Sequence, residues 1–159
     1  MSGSRSNMKY IEIVDKTDTV NFNAVSKSIN RKCELICKYA VNSDFIRQSI
    51  QKCDYLVVNY FNRTIVGFAC VIYMEDENGV YIDLICNSDA ETYMNIFNNS
   101  QNAFGGKHMI DVIKERSIGE NKKYIKLSAL TPVISYYSYL GFDFLIGKNA
   151  SRLKTNVNK

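Results

Sequence analysis

Three stretches of this chain hold residues whose types and spacing could do chemistry. The first is Gln101-Asn102-Ala103-Phe104-Gly105-Gly106, which runs straight into an amphipathic segment over 107–120. Glycines let a backbone approach a ligand closely, and the free N–H groups of a helix start attract phosphate. Gly106, Lys107, His108 and Met109 would supply those donors, and the helix dipole adds favourable charge. By itself the signal is weak: two glycines before a helix also make an ordinary turn, and neither GxGxxG nor GK[ST] occurs. The second stretch is Tyr136-Tyr137-Ser138-Tyr139-Leu140-Gly141-Phe142. Alone, its tyrosines read as core aromatics and its Gly-Phe as a helix stop with an apolar clasp. The third is Asp83, the only carboxylate in the apolar run 80–86. It reads either as a base for proton transfer or as a solvated residue on the polar face of a strand.

The remaining reactive types narrow the chemistry. The chain has five cysteines, Cys33, Cys37, Cys53, Cys70 and Cys86, and one histidine, His108. No paired-cysteine spacing with a nearby histidine is present, so no metal site is expected. Cys33 and Cys37, at i and i+4, are expected on one helix face, packing as small hydrophobes. Reduced cysteines imply an intracellular, cytoplasmic protein. His108 reads as a surface residue where loop meets helix, or as a member of the anion site.

The elements that must position these residues follow from periodicity. Alternating branched residues predict strands over 8–14, 54–61, 64–74 and 80–86, with tight polar turns at Asn62-Arg63 and over 75–79. The last three of these form an antiparallel meander. Helical spacing runs over 20–52, broken near 41–44, where Asn42 or Ser43 caps a second helix. A helix over 105–120, a strand over 123–130, and a short helix capped by Thr131 with Pro132 in its first turn come next. Gly141 ends that helix, 142–146 form a last clear strand, and 151–157 add a weak edge strand. Hairpins followed by strand–helix–strand units predict an α/β (α+β) single domain: a mixed, mostly antiparallel twisted sheet with helices on both faces.

Length and charge set the limits. The chain has 159 residues, of which 46% are hydrophobic and 23% charged, an ordinary globular profile for one domain. Residues 1–7 read as a flexible leader, 8–147 as the domain, 87–104 as an insertion or lid, and 148–159 as a tail. The tail carries Lys148, Arg152, Lys154 and Lys159 and no acid, which accounts for the whole net charge of +4. A neutral body argues against a nucleic-acid-binding protein, which normally shows a basic stripe on its folded unit. The opening residues hold no apolar stretch that would suggest a secretory leader, and the longest apolar run, 64–74, is too short to span a bilayer.

Taken in series, these parts resemble the GCN5-related N-acetyltransferase (GNAT) superfamily over about 54–146. The family's hairpin strand is similar to Arg63-Thr64-Ile65-Val66-Gly67-Phe68-Ala69-Cys70. Its fourth strand is similar to Tyr81-Ile82-Asp83-Leu84-Ile85-Cys86, and its coenzyme A pyrophosphate signature to Gln101 through Gly106. Its last strand-helix unit is similar to Val133 through Phe142. Phe104 stands where the family usually has its first glycine. The resemblance implies acetyl transfer from acetyl-CoA, bound as co-substrate, to a primary amine by direct attack. It implies that backbone groups of Leu84, Ile85 and Cys86 polarise the thioester. Gln101, Phe104, Gly105, Gly106, Lys107, His108 and Met109 would line the coenzyme site. Tyr137 matches the family's general acid, and Asp83 is the candidate base, acting through water. The alternative is a non-catalytic member that binds coenzyme A or a protein partner. The acceptor is a small-molecule or protein amine, a homodimer is common in the family, and neither nucleic acid nor membrane is expected as a partner.

Overall fold

Branched and aromatic residues at every second position make the strands, and turn chemistry decides where they reverse. The structure, a computed structural model, describes residues 9–37, 42–87, 105–128, 134–144 and 152–156. The expected leader, most of the insertion with Gln101 and Phe104, the Thr131-Pro132 helix start and the ends of the tail lie outside the described residues. In chain order the elements are β1 (Lys9–Asp15), α1 (Thr19–Ile36), α2 (Ser43–Lys52), β2 (Tyr55–Phe61), β3 (Thr64–Met74), β4 (Gly79–Asn87), α3 (Gly105–Gly119), β5 (Tyr124–Ser128), α4 (Ile134–Tyr139), β6 (Asp143–Phe144) and β7 (Arg152–Asn156). The sheet order is β1-β2-β3-β4-β5-β7-β6. Only β4 with β5 is parallel; the other neighbours are antiparallel.

Local signals explain the boundaries. Asn62 and Arg63 take φ of 52° and 67°, the left-handed pair that closes a two-residue hairpin with the twist of its strands. At the start of α2, Asn42 Oδ1 accepts the Phe45 N–H at 2.8 Å, satisfying one of the helix's free donors. Asn42, not Ser43, is therefore the cap.

The sheet separates two apolar layers. On one face α1 and α2 bury Phe22, Val25, Ile29, Ile46 and Ile50 against Leu56, Val58, Phe68 and Leu84. On the other, α3 and α4 bury Met109, Ile110, Ile113 and Tyr137 against Tyr55, Val57, Val71, Ile82 and Leu127. Helices on both faces are as the sequence predicts. Arg116 ties α3 back to the sheet: it donates to Asp15 and to the Tyr73 hydroxyl and lies 4.2 Å over the Tyr55 ring.

Two expectations are corrected. The 151–157 strand was expected at an edge. Instead β7 lies between β5 and β6, pairing Leu153 with both Leu127 and Phe144. Thr155 of β7 is buried, donating to the Gly141 carbonyl at 2.8 Å. One charge of the tail is also tied down: Lys154 sits 3.6 Å over the Tyr124 ring.

The second correction concerns the cysteines, expected all reduced. Cys37 and Cys86 form a disulfide, joining the end of α1 to the end of β4. Cys33, Cys53 and Cys70 are free and buried, so the small-hydrophobe reading of Cys33 and Cys37 holds for Cys33 and not for Cys37. The cross-link closes a sequence separation of 49 residues. Chain-entropy arguments give such a loop about 4 kcal/mol of stabilisation. Reducing it, or replacing both cysteines by serine, should lower the melting temperature by roughly 8–16 °C. Calorimetry with and without a dithiol checks this, and an unchanged melting point would refute a structural role.

Candidate functional site

The site begins with a fork in the sheet. β4 and β5 pair at four positions, from Gly79↔Tyr124 to Ile82↔Leu127. Beyond Ile82, β4 runs on through Asp83 to Asn87 with no β5 partner among the described residues. Leu84, Ile85 and Cys86 remain laddered to β3 on their other side. Among the described residues the β4–β5 pairing therefore stops at the carboxyl ends of two parallel strands, the place where open sheets take ligands.

α3 starts at that opening. Met109, buried in its second turn, brings its Cε to 3.3 Å from where a Cβ on Gly67 would lie. Gly67 pairs with Asn87, the last residue of β4. A helix that begins at Gly105 leaves the N–H groups of Gly105, Gly106 and Lys107 without intrahelical acceptors. These donors and the positive end of the dipole lie at the mouth of the fork. His108 is exposed beside them, and Lys107 pairs with Asp111 at 2.8 Å. Met109 contributes its side chain to the core instead. Gln101 and Phe104 lie outside the described residues.

Gly67 is required by the close approach of β4. A Cβ there would meet the Cys86 carbonyl oxygen at 2.9 Å, a backbone atom that has no easy retreat. Gly67→Ala should cost about 1–3 kcal/mol. At Gly119 an added Cβ meets nothing within 4 Å, so Gly119→Ala is the matched control and should be neutral or stabilising. Equal melting temperatures for the two variants would rule out the packing argument.

Between α3 and α4 lies a cleft of about 320 Å3, lined by Lys107, Ile110, Asp111, Lys114, Tyr139 and Leu140. Lys114 is 3.5 Å from the Leu140 carbonyl and has no carboxylate partner among the described residues. Lys114 carries no signal in the sequence and Tyr139 reads there only as a core aromatic, because only the packing of α3 against α4 brings them together.

Tyr137 lies on the α3 side of the sheet. It is 8% exposed, and its ring meets Phe142 edge-on at 5.8 Å. Burial pushes its phenol well above the usual range, so it holds its proton at neutral pH. The side chain of Tyr136 is not among the described features.

Asp83 lies on the opposite face. The β3–β4 register shifts between Cys70 and Val71, pairing them with Leu84 and Ile82 and leaving Asp83 as the extra residue of a bulge. The bulge inverts the alternation: Val80 and Ile82 face α3, whereas Leu84 and Cys86 face α1 and α2. Asp83 turns the same way as Leu84. Its side chain is 11% exposed, Ser49 Oγ donates to Oδ2 at 2.6 Å, and Lys52 Nζ lies 3.4 Å from that same oxygen. Asp83 is thus a held carboxylate rather than a freely solvated one. Burial pushes the neighbouring Cys70 thiol up, which keeps it protonated. Ser49 and Lys52 are further residues that sequence reading passed over.

Among the described residues no group of three or more His, Cys, Asp or Glu side chains is placed to hold a metal, and no helix is long and apolar enough to cross a membrane.

No family model matches the chain, and no curated protein matches it. Solved structures do. Tetrahymena GCN5 superposes with a TM-score of 0.69 at 12% identity, over 93% of this chain and 96% of that one. AtaTR bound with AcCoA gives 0.63 at 17% identity over 94% of each. The PaiA N-acetyltransferase of Thermoplasma acidophilum, in complex with coenzyme A, gives 0.58 at 10% identity over 92% of this chain and 99% of that one. With a forked β4–β5 pair, a helix start at the fork's mouth and near-full-length superposition, the chain has the fold of the GCN5-related N-acetyltransferases.

Proposed function

We propose that the chain is a GNAT-superfamily acyltransferase that moves an acetyl group from acetyl-CoA to a primary amine by direct attack. The observation that carries this is the fork with the α3 start at its mouth. A thioester arm fits between splayed strands, where β4 offers backbone groups with no β5 partner among the described residues. A pyrophosphate fits the free N–H groups of Gly105, Gly106 and Lys107. The cleft with Lys107, Lys114 and Tyr139 is suited to a further phosphate and a base. The PaiA structure in complex with coenzyme A and the AtaTR structure bound with AcCoA support acetyl-CoA as the co-substrate.

The two candidate catalytic groups flank β4 from opposite faces, which suits a transfer running through the sheet. On the α1–α2 side, Asp83 takes a proton from the ammonium group through water, and the amine's lone pair is freed. The nitrogen attacks the thioester carbon while backbone N–H groups of β4 steady the oxygen. As the C–S bond breaks, the nitrogen sheds its second proton to water, Tyr137 gives its proton to the departing sulfur, and solvent returns one to the phenol. A cysteine relay is disfavoured: Cys86 has its sulfur in the disulfide, and Cys70 is held protonated by burial.

Purified protein should show a thermal shift with acetyl-CoA but not with ATP. It should also release free thiol when given acetyl-CoA with at least one of a lysine peptide, a polyamine or an aminoglycoside. A shift without thiol release would indicate a coenzyme-binding protein that does not catalyse. Neither response would remove both readings.

A further inference from the structure

Both donors to the Asp83 carboxylate converge on one oxygen. Ser49 Oγ is 2.6 Å and Lys52 Nζ 3.4 Å from Oδ2, and no described residue reaches Oδ1. The two donors sit three residues apart on α2, on the face turned to β4. They are unequal anchors. The Lys52 side chain is 56% exposed, so its pairing is loosened by solvent, whereas Ser49 is 1% exposed.

We propose that Ser49 is a positioning residue for acetyl transfer: it pins Oδ2 of Asp83 and so presents Oδ1 to the proton that the acceptor amine must lose. This rests on the assignment of Asp83 as base. The bulge makes the arrangement necessary. An inserted residue lacks the ladder partner that would otherwise orient it, and a carboxylate free to rotate would offer the wrong oxygen much of the time. A hydroxyl buried on a packed helix removes that freedom; a lysine at the rim does not.

The test compares Ser49→Ala, Ser49→Thr and Lys52→Ala, using acetyl-CoA and whichever probe amine of the three above turns over fastest. Ser49→Ala should lower kcat roughly ten- to a hundredfold and leave KM for acetyl-CoA unchanged. Ser49→Thr restores the hydroxyl and should recover kcat, and Lys52→Ala should change it only about twofold. Unchanged kcat in Ser49→Ala overturns the proposal, and so does a loss that threonine fails to rescue. A crystal structure of Ser49→Ala decides the geometry independently of turnover. A rotated Asp83 carboxylate supports the anchor, and an unmoved one refutes it. If the wild-type chain acetylates no amine, the reading of the function fails while this structural arm still judges Ser49.

Discussion

Tyr137→Phe should lower kcat for acetyl transfer by about 10²–10⁴ while leaving the fold intact. The substitution keeps the ring, and with it the edge-on contact with Phe142 at 5.8 Å and the burial among the α3 and α4 side chains. Only the hydroxyl goes. A thiol leaving group has an intrinsic pKa of about 8.5, so it departs near neutrality more easily when a proton meets it. Burial supplies the complementary condition by pushing the phenol above its ordinary value of 10.0, which keeps the proton in place. The sign of that shift also fixes a pH dependence. Below pH 10.0 the phenol is protonated in folded and unfolded chain alike, and its contribution to stability is fully present. Above it that contribution is lost as the folded phenol titrates. No alkaline fall in kcat below pH 10 should therefore trace to Tyr137. A donor thioester with a more acidic thiol needs less help, so the deficit of the Phe variant should shrink with it. An equal deficit with both donors would assign the hydroxyl some other task, and no deficit would remove Tyr137 from the chemistry.

What the sequence discloses and what it hides divide along physical lines. Local rules announce themselves: the Asn62-Arg63 turn, the start of α3 at Gly105 and the Asn42 cap depend on neighbours a few residues away. The bulge at Asp83 does not. Val80, Ile82, Leu84 and Cys86 alternate as though they shared one face, yet the structure divides them between two. Because β4 is covered on both faces, either register meets apolar neighbours, and hydrophobicity alone cannot report the slip. The Cys37–Cys86 disulfide is hidden for a related reason, since the spacing of 49 residues matches no short-range signature. The inward place of β7 depends on which edge β5 leaves open, a tertiary choice. Ser49 is the plainest case. In an amphipathic helix a serine reads as solvent-facing, and only the bulged carboxylate opposite gives it a reason to be buried.

Asp83→Asn should lower transfer at pH 7 by about 10²–10⁴, and the loss should fade as pH rises. The amide keeps the size of the carboxylate and retains an oxygen to accept the Ser49 hydrogen bond. The geometry set by the bulge is therefore preserved. What disappears is the ability to take a proton. An alkylamine with pKa near ~10.4 is uncharged in only about one molecule in 2,500 at pH 7, so a variant that must wait for that fraction is slowed by a similar factor. Its log rate should climb with a slope of about one per pH unit toward the amine's pKa, whereas the wild type should level off earlier. The lost pairing with Lys52 adds little, because that side chain is 56% exposed. This separates Asp83 from Tyr137: alkali rescues the Asn variant and a better leaving group does not, and the Phe variant shows the reverse. An Asn variant within a few-fold of wild type at pH 7 would show that the carboxylate is only a structural ligand of α2. A deep loss that alkali does not relieve would place its effect outside proton removal.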